Sequence, residues 1–438
     1  MTGAGATVCS PNQVMVARLQ ARGFAANVPL LLRARGDLDR DTLREALQMV
    51  VDRHAILRAT FEFDGDLLMQ KPDRPCAVVM KWEDLADLPD PLTEAQAAIR
   101  RTCREVFDSN EAIRLRPFVY RLGVQDHLIA VVFDHLAADG MSLATVIAEW
   151  RAFYQAIEAG TPPTVSGLAQ QYSAFATWQR DWLHSIHAER HRVWWTNQLR
   201  DLPGSAVTGV RSGGPFVARA IAFDLGATVS RQISTLCVRH RVTPFMALLA
   251  AYLPLVGSLV SERTVLIATV RANRSREDFR GTVGHFANLT PLRLMLDPNS
   301  SADQLIEDVA SVCRSSYAHD ELPFLELAAI ASHVGLPASA LAEFSINFVP
   351  FPTEPVAWSS GLYLSQLWGF LDQEPLATGR LALFVRQEGD RLGGALIYDP
   401  RTIGSDWAEA FPGRLAALTA MLSRSPAPSV GDLLSIGV

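Results

Sequence analysis

The residue types best suited to chemistry in this chain lie together in Asp134-His135-Leu136-Ala137-Ala138-Asp139-Gly140-Met141-Ser142. An imidazole stands beside a carboxylate, and a second carboxylate, a glycine and a hydroxyl follow it closely. An imidazole changes charge near neutral pH, so it can take a proton from an attacking amine or alcohol. The same residues also describe a histidine held in a turn by an aspartate, and a short motif alone does not separate the two readings.

The flanking elements give the motif its place. His127-Leu128-Ile129-Ala130-Val131-Val132-Phe133 is an apolar, β-branched run that predicts a buried strand, and Leu143-Ala144-Thr145-Val146-Ile147 opens a helix. His135 is therefore expected on a strand-to-helix turn at the edge of a sheet. If the segment is extended at Asp134, neighbouring side chains leave on opposite faces and Asp134 need not touch the His135 ring.

The rest of the chain bounds the class of protein. At 438 residues, with 49% hydrophobic and 20% charged residues, it predicts two or three compact domains. The 40 Lys and Arg against 46 Asp and Glu include no basic run, so no nucleic-acid or anionic-membrane partner is expected. Cys9, Cys76, Cys103, Cys237 and Cys313 are odd in number and never form Cys-x-x-Cys, which predicts reduced thiols, no disulfide framework and no metal site. The opening residues have neither a basic segment nor a long apolar one, so a cytoplasmic location is expected. The uncharged stretch 242–260 is interrupted by Pro254; it predicts a buried helix from Pro244 to Leu253 rather than a membrane span.

Helices and strands alternate along the chain. A strand is expected around Pro29–Leu32, an amphipathic helix over Asp39–His54 with an Asp39 N-cap, and a hairpin over 57–70 that turns at Asp64-Gly65-Asp66. Gly160-Thr161-Pro162-Pro163-Thr164-Val165-Ser166-Gly167 is the clearest break, and a Trp-rich helical region over 171–199 follows. Strands near 218–223, 264–270, 345–349, 381–386 and 392–398 and helices over 228–239, 301–313 and 405–423 complete the pattern.

Taken in order, these segments resemble the condensation-domain superfamily of nonribosomal peptide synthesis over nearly the full chain. The family's His-His-x-x-x-Asp-Gly signature corresponds to Asp134-His135-Leu136-Ala137-Ala138-Asp139-Gly140, with aspartate at the first histidine position. Ser10-Pro11-Asn12-Gln13, Arg53–Phe61, Tyr172–Gln179, Trp194–Leu199, Thr243–Tyr252, Ala272-Asn273-Arg274, Val283–Arg293, Leu322-Pro323-Phe324 and Tyr398-Asp399-Pro400 keep the order of the other family motifs.

The resemblance implies an α/β fold of two chloramphenicol-acetyltransferase-like lobes, each an α/β sandwich, in a V-shaped pseudo-dimer. The lobes are expected over 1–170, carrying the His135 turn, and 171–438, completing a tunnel. It further implies His135 as the catalytic group, Asp139 paired with Arg274 as support, and Asp134 and Gly140 as structural positions, Gly140 where a close approach or positive φ is needed. Ser142 is a candidate tunnel-lining residue, Asn347 is expected to point at the tunnel or to hydrogen-bond within it, and His285 is expected as a structural or surface histidine with tunnel lining as its alternative. The expected donor is an acyl thioester on the phosphopantetheine of an acyl or peptidyl carrier protein, and the expected acceptor a small molecule or a second carrier-bound group. No permanently bound cofactor is expected, and the chain should act as a monomer, free-standing or excised, with partners supplied in trans.

Alternatives stay open at this stage. Asp134-x-x-x-x-Asp139-x-x-Ser142 also fits heterocyclisation domains, and the aspartate at 134 fits a non-catalytic module that recruits partners. A racemising relative is the third, although Met141-Ser142-Leu143-Ala144 lacks its usual Trp-Arg continuation.

Overall fold

The computed structural model describes residues 5–72, 75–108, 111, 113–202, 218–260, 262–349, 354–367 and 379–437. The chain divides into two compact units, Met1–Ala188 with Ala272–Ala287 and Thr353–Trp368, and Glu189–Arg271 with Asn288–Pro352 and Gly369–Val438.

The first unit is built on a six-stranded sheet in the order Val356–Ser359, Leu362–Gln366, Asn27–Arg35, Asp126–Asp134, Leu115–Gly123, Lys81–Asp84. Only the last pair is parallel. Asp126–Asp134 lies inside this sheet, and its residues from Leu128 onward are buried. Burial on both faces explains why the sequence there is continuously apolar instead of alternating. The helices Arg40–Arg53 and Gly140–Ala159 pack together, joined by the Trp150 indole N–H donating to the Leu43 carbonyl at 2.9 Å. Asp39 caps the first of these, accepting from the Thr42 N–H at 2.7 Å, as the sequence predicts. A small sheet of Thr7–Val8, Leu67–Pro72 and Ala59–Asp64 completes the unit. Its hairpin starts later than expected, because Ala55–Arg58 winds into a short 3-10 turn.

The second unit repeats the plan with the strand order Asn288–Met295, Thr264–Arg271, Phe344–Val349, Leu381–Glu388, Arg391–Tyr398, Arg219–Asp224. Phe344–Val349 runs parallel to both neighbours and the remaining pairs are antiparallel. Its core helix is Pro244–Gly257, buried from Met246 to Val256. This helix passes through Pro254 instead of stopping before it. Proline at that point removes one backbone donor, and a helix enclosed on all sides by apolar partners retains its packing in spite of that loss.

The division after Ala188 differs from the expected boundary after residue 170, and segments 272–287 and 353–368 return to the first unit. The cause is long-range pairing. Leu362–Gln366 adds to the edge of Asn27–Arg35, and Tyr172 is buried among residues of the first unit.

Candidate functional site

Asp134 ends its strand, and its carbonyl accepts from the N–H groups of Ala137 and Ala138, closing a tight turn. His135 rides on that turn, half-buried, with its backbone N–H donating to the Ala26 carbonyl at 3.1 Å. The turn brings the Ala138 carbonyl back to the imidazole, 2.7 Å from Nδ1. A carbonyl only accepts, so Nδ1 carries the proton, and the neutral ring then presents Nε2 as a bare lone pair.

Asp139 caps the helix Gly140–Ala159 and is fully enclosed. Its Oδ1 accepts from the Ser142 N–H at 2.7 Å, the Ser142 hydroxyl at 2.8 Å and Arg274 Nη2 at 3.2 Å. Its Oδ2 accepts from the N–H groups of Phe286 and Ala287, each at 3.0 Å. Burial works against ionisation here, but Arg274, with help from Ser142, outweighs it and holds the carboxyl below its usual range. Arg274 also donates to the carbonyls of Thr282 at 2.6 Å and Phe279 at 3.3 Å and lies 4.0 Å over the Phe286 ring. The Asp139–Arg274 pairing implied by the resemblance is present.

Two expectations, for Gly140 and Ser142, change. Gly140 has no positive φ, is exposed, and a Cβ built on it would meet nothing within 4 Å. It leaves open space at the helix start, and neither a positive φ nor a close protein neighbour calls for glycine there. Ser142 is enclosed rather than lining a passage: its hydroxyl bridges Asp139, Arg274 Nη2 and the Gly284 backbone. A small hydroxyl at the first turn of a capped helix is drawn to its capping carboxylate. Asn347 belongs to the second unit, where its Oδ1 accepts from the Val270 N–H at 3.0 Å and completes a strand edge.

His285 is buried, and its ring meets that of His135 edge-to-face with centroids 4.3 Å apart and planes at 73°. Burial first, and then the neighbouring His135, push it down to about 3, so it is neutral at ordinary pH. Asp134 turns away from this pair. It accepts from Gln20 Nε2 at 2.8 Å, the Leu136 N–H at 3.0 Å and buried Arg114 at 3.3 Å. Burial raises its pKa, and Arg114 works against that rise.

Several supporting residues carry no role in the sequence reading. Gln13 Nε2 donates to the Leu136 carbonyl and Asn12 Nδ2 to the Ala287 carbonyl, both at 2.9 Å. The Tyr172 hydroxyl donates to the His285 carbonyl at 2.6 Å and meets the Ser10 hydroxyl at 2.9 Å. Gly284 lies against the same tyrosine, whose Cδ2 would be 1.9 Å from an added Cβ. Ser10-x-x-Gln13 is legible as a capping box, and the box forms, but that signal says nothing of the distant carbonyls these residues also reach.

The Condensation domain family model matches residues 5–356, and the chain belongs to that family. Among curated relatives it is 28% identical to chondramide synthase cmdD of Chondromyces crocatus over 354 residues, 76% of this chain and 9% of that protein. It is 29% identical to phosphinothricin tripeptide synthetase PhsC of Streptomyces viridochromogenes over 309 residues, 69% of this chain and 28% of that protein. The chain thus spans less than a third of the length of either of these relatives.

Solved structures agree on the fold. The first condensation domain of the CDA synthetase superposes with a TM-score of 0.83 at 19% identity, covering 98% of each chain. The X-domain from teicoplanin biosynthesis gives 0.82 at 21%, over 99% of this chain and 98% of that one. SgcC5 from Streptomyces globisporus gives 0.77 at 22%, over 93% and 94%. The two α/β lobes are of the chloramphenicol-acetyltransferase type expected from the sequence. No described helix is long and apolar enough to cross a membrane.

Proposed function

We propose that this chain is a condensation-type acyltransferase of nonribosomal peptide or related natural-product biosynthesis. It joins an acyl thioester, carried on the phosphopantetheine of an acyl or peptidyl carrier protein, to an amine or hydroxyl acceptor, giving an amide or an ester. The observation that carries this reading is the His135 Nδ1 to Ala138 hydrogen bond, which in the neutral ring puts the proton on Nδ1 and the lone pair on Nε2 of a half-buried side chain.

Nε2 takes the proton of the amine or alcohol as the nucleophile attacks the thioester carbonyl. The tetrahedral intermediate then expels the thiolate, and the imidazolium returns the proton to sulfur. The atoms balance as thioester plus nucleophile giving amide or ester plus free thiol. Such proton transfer contributes about 10²–10⁴ in rate, and holding both tethered reactants adds an entropic share.

Asp139 and Arg274 support the turn electrostatically and do not touch the His135 ring nitrogens. Asp134, Asp139 and Ser142 each spend their polar atoms on holding the turn and the 282–287 segment, which supports simple condensation over cyclisation. The SgcC5 structure contains (R)-(-)-1-(2-naphthyl)-1,2-ethanediol, which is reason to test hydroxyl acceptors beside amines.

The test is intact-mass analysis of an acyl-loaded carrier protein incubated with the protein and a panel of amines and alcohols. Wild type unloads the carrier to a condensed product, and His135→Ala lowers that rate by about 10²–10⁴ with unchanged thermal stability. Equal rates would remove His135 from the reaction. Tight carrier binding with no transfer to any acceptor would make the chain a recruiting module, and further loss of water from the product would make it a cyclising one.

A further inference from the structure

His285 is a buried ionisable group beside the proposed base to which the reaction above assigns no task. Among the described residues neither of its ring nitrogens has a hydrogen-bond partner. A buried polar ring without partners is costly, so packing alone would favour a phenylalanine or leucine at this place. What the ring does have is the edge-to-face contact with His135.

The backbone on both sides of His285 is tied down. Gly284 is held through its N–H and its carbonyl by the Ser142 hydroxyl, at 3.1 and 2.8 Å. The His285 carbonyl accepts from Tyr172, and the next two N–H groups end on Asp139 Oδ2. Asp139 is also the cap of the helix that follows the His135 turn. One carboxylate therefore keys the segment bearing His285 to the turn bearing His135.

A histidine ring held by a single hydrogen bond can still rock about that bond, because its second side-chain torsion is broad. A second ring packed against it removes that freedom. The uncharged state of His285 allows this contact to persist when His135 takes up a proton, since no like charge then faces the imidazolium. Resting on the reading of His135 as the base, we propose that His285 is a positioning residue: its ring holds the His135 imidazole so that Nδ1 stays on the Ala138 carbonyl and Nε2 stays free for the nucleophile.

The test reads the tautomer directly, by nitrogen NMR of histidine-labelled protein with the His135 signals assigned through their loss in His135→Ala. Wild type should show one tautomer, protonated at Nδ1. His285→Leu keeps apolar volume without a flat ring and should show both tautomers, with kcat lower by about tenfold or more and KM within about twofold. His285→Phe restores the ring and should restore the single tautomer and most of kcat.

A single tautomer in His285→Leu would overturn the proposal, as would His285→Phe behaving like His285→Leu. If His285→Leu does not fold, His285→Phe decides: a mixed tautomer there overturns the proposal and a single one supports it. Mixed tautomers in His285→Leu with undiminished kcat would keep the positioning role and remove His135 from the reaction, so the two readings fail separately.

Discussion

Replacing Asp139 with asparagine keeps the shape of the side chain and removes its charge, which isolates what the carboxylate does. Both oxygens accept only: Oδ1 from Ser142 and Arg274, Oδ2 from the N–H groups of Phe286 and Ala287. An amide must turn its NH2 toward one of these sets of donors. If it faces Phe286 and Ala287, two buried donors are abandoned, at about 1–3 kcal/mol each. If it faces the other way, the helix cap and the Arg274 contact are lost. In both cases the Arg274 guanidinium loses its charged partner in a buried setting, for which about 3–5 kcal/mol is typical.

The ion-pair loss common to both orientations is by itself about 3–5 kcal/mol, which for a unit of 150–250 residues lowers Tm by at least about 6–20 °C. The carboxyl of Asp139 is held below its usual value of 3.8 in the folded protein. Its contribution is therefore complete above that value and fades as pH falls through the lower, folded pKa. Scanning calorimetry of wild type and Asp139→Asn should show the full gap at neutral pH, shrinking as the solution is acidified below about pH 4. A gap under about 3 °C at neutral pH, or one indifferent to acidification, would refute the ion-pair argument.

Other outcomes follow from the same geometry. Gly284→Ala drives a methyl into the Tyr172 ring and should cost about 1–3 kcal/mol in urea unfolding; combining it with Tyr172→Ala should cost less than the sum of the two single changes, and strict additivity would mean that the residues do not meet. Asp134→Ala leaves buried Arg114 without its carboxylate and should lower Tm by an amount comparable to Asp139→Asn, while kcat measured well below Tm stays within about tenfold of wild type. A fall in kcat on the scale of His135→Ala would place Asp134 in the chemistry instead.

Much of the local plan was legible in the chain. The apolar run 127–133 marked a strand of Asp126–Asp134, and Asp39 marked its helix start as the N-cap it is. These features depend on neighbours within one turn or one strand, where residue type and period act directly. The Asp139–Arg274 pair could be named only through family resemblance, since 135 residues separate the partners. Pro254 misled because local propensity speaks of isolated helices, whereas Pro244–Gly257 is enclosed on every side. The place of segment 353–368 in the first unit was not legible because a strand pairs with whatever edge the topology brings to it, and Leu362–Gln366 pairs with Asn27–Arg35.

The sequence by itself determined the strand, the turn and the helix that carry His135, because those rest on short-range periodicity, capping and backbone restriction. Tertiary structure alone decided what surrounds that ring: His285 in edge-to-face contact with it, Gln13 on the Leu136 carbonyl, and Tyr172 requiring a glycine at 284. Each of these is a contact between side chains or carbonyls more than a hundred residues apart, chosen by how the sheet and its helices close and not by any pattern within a window of the chain.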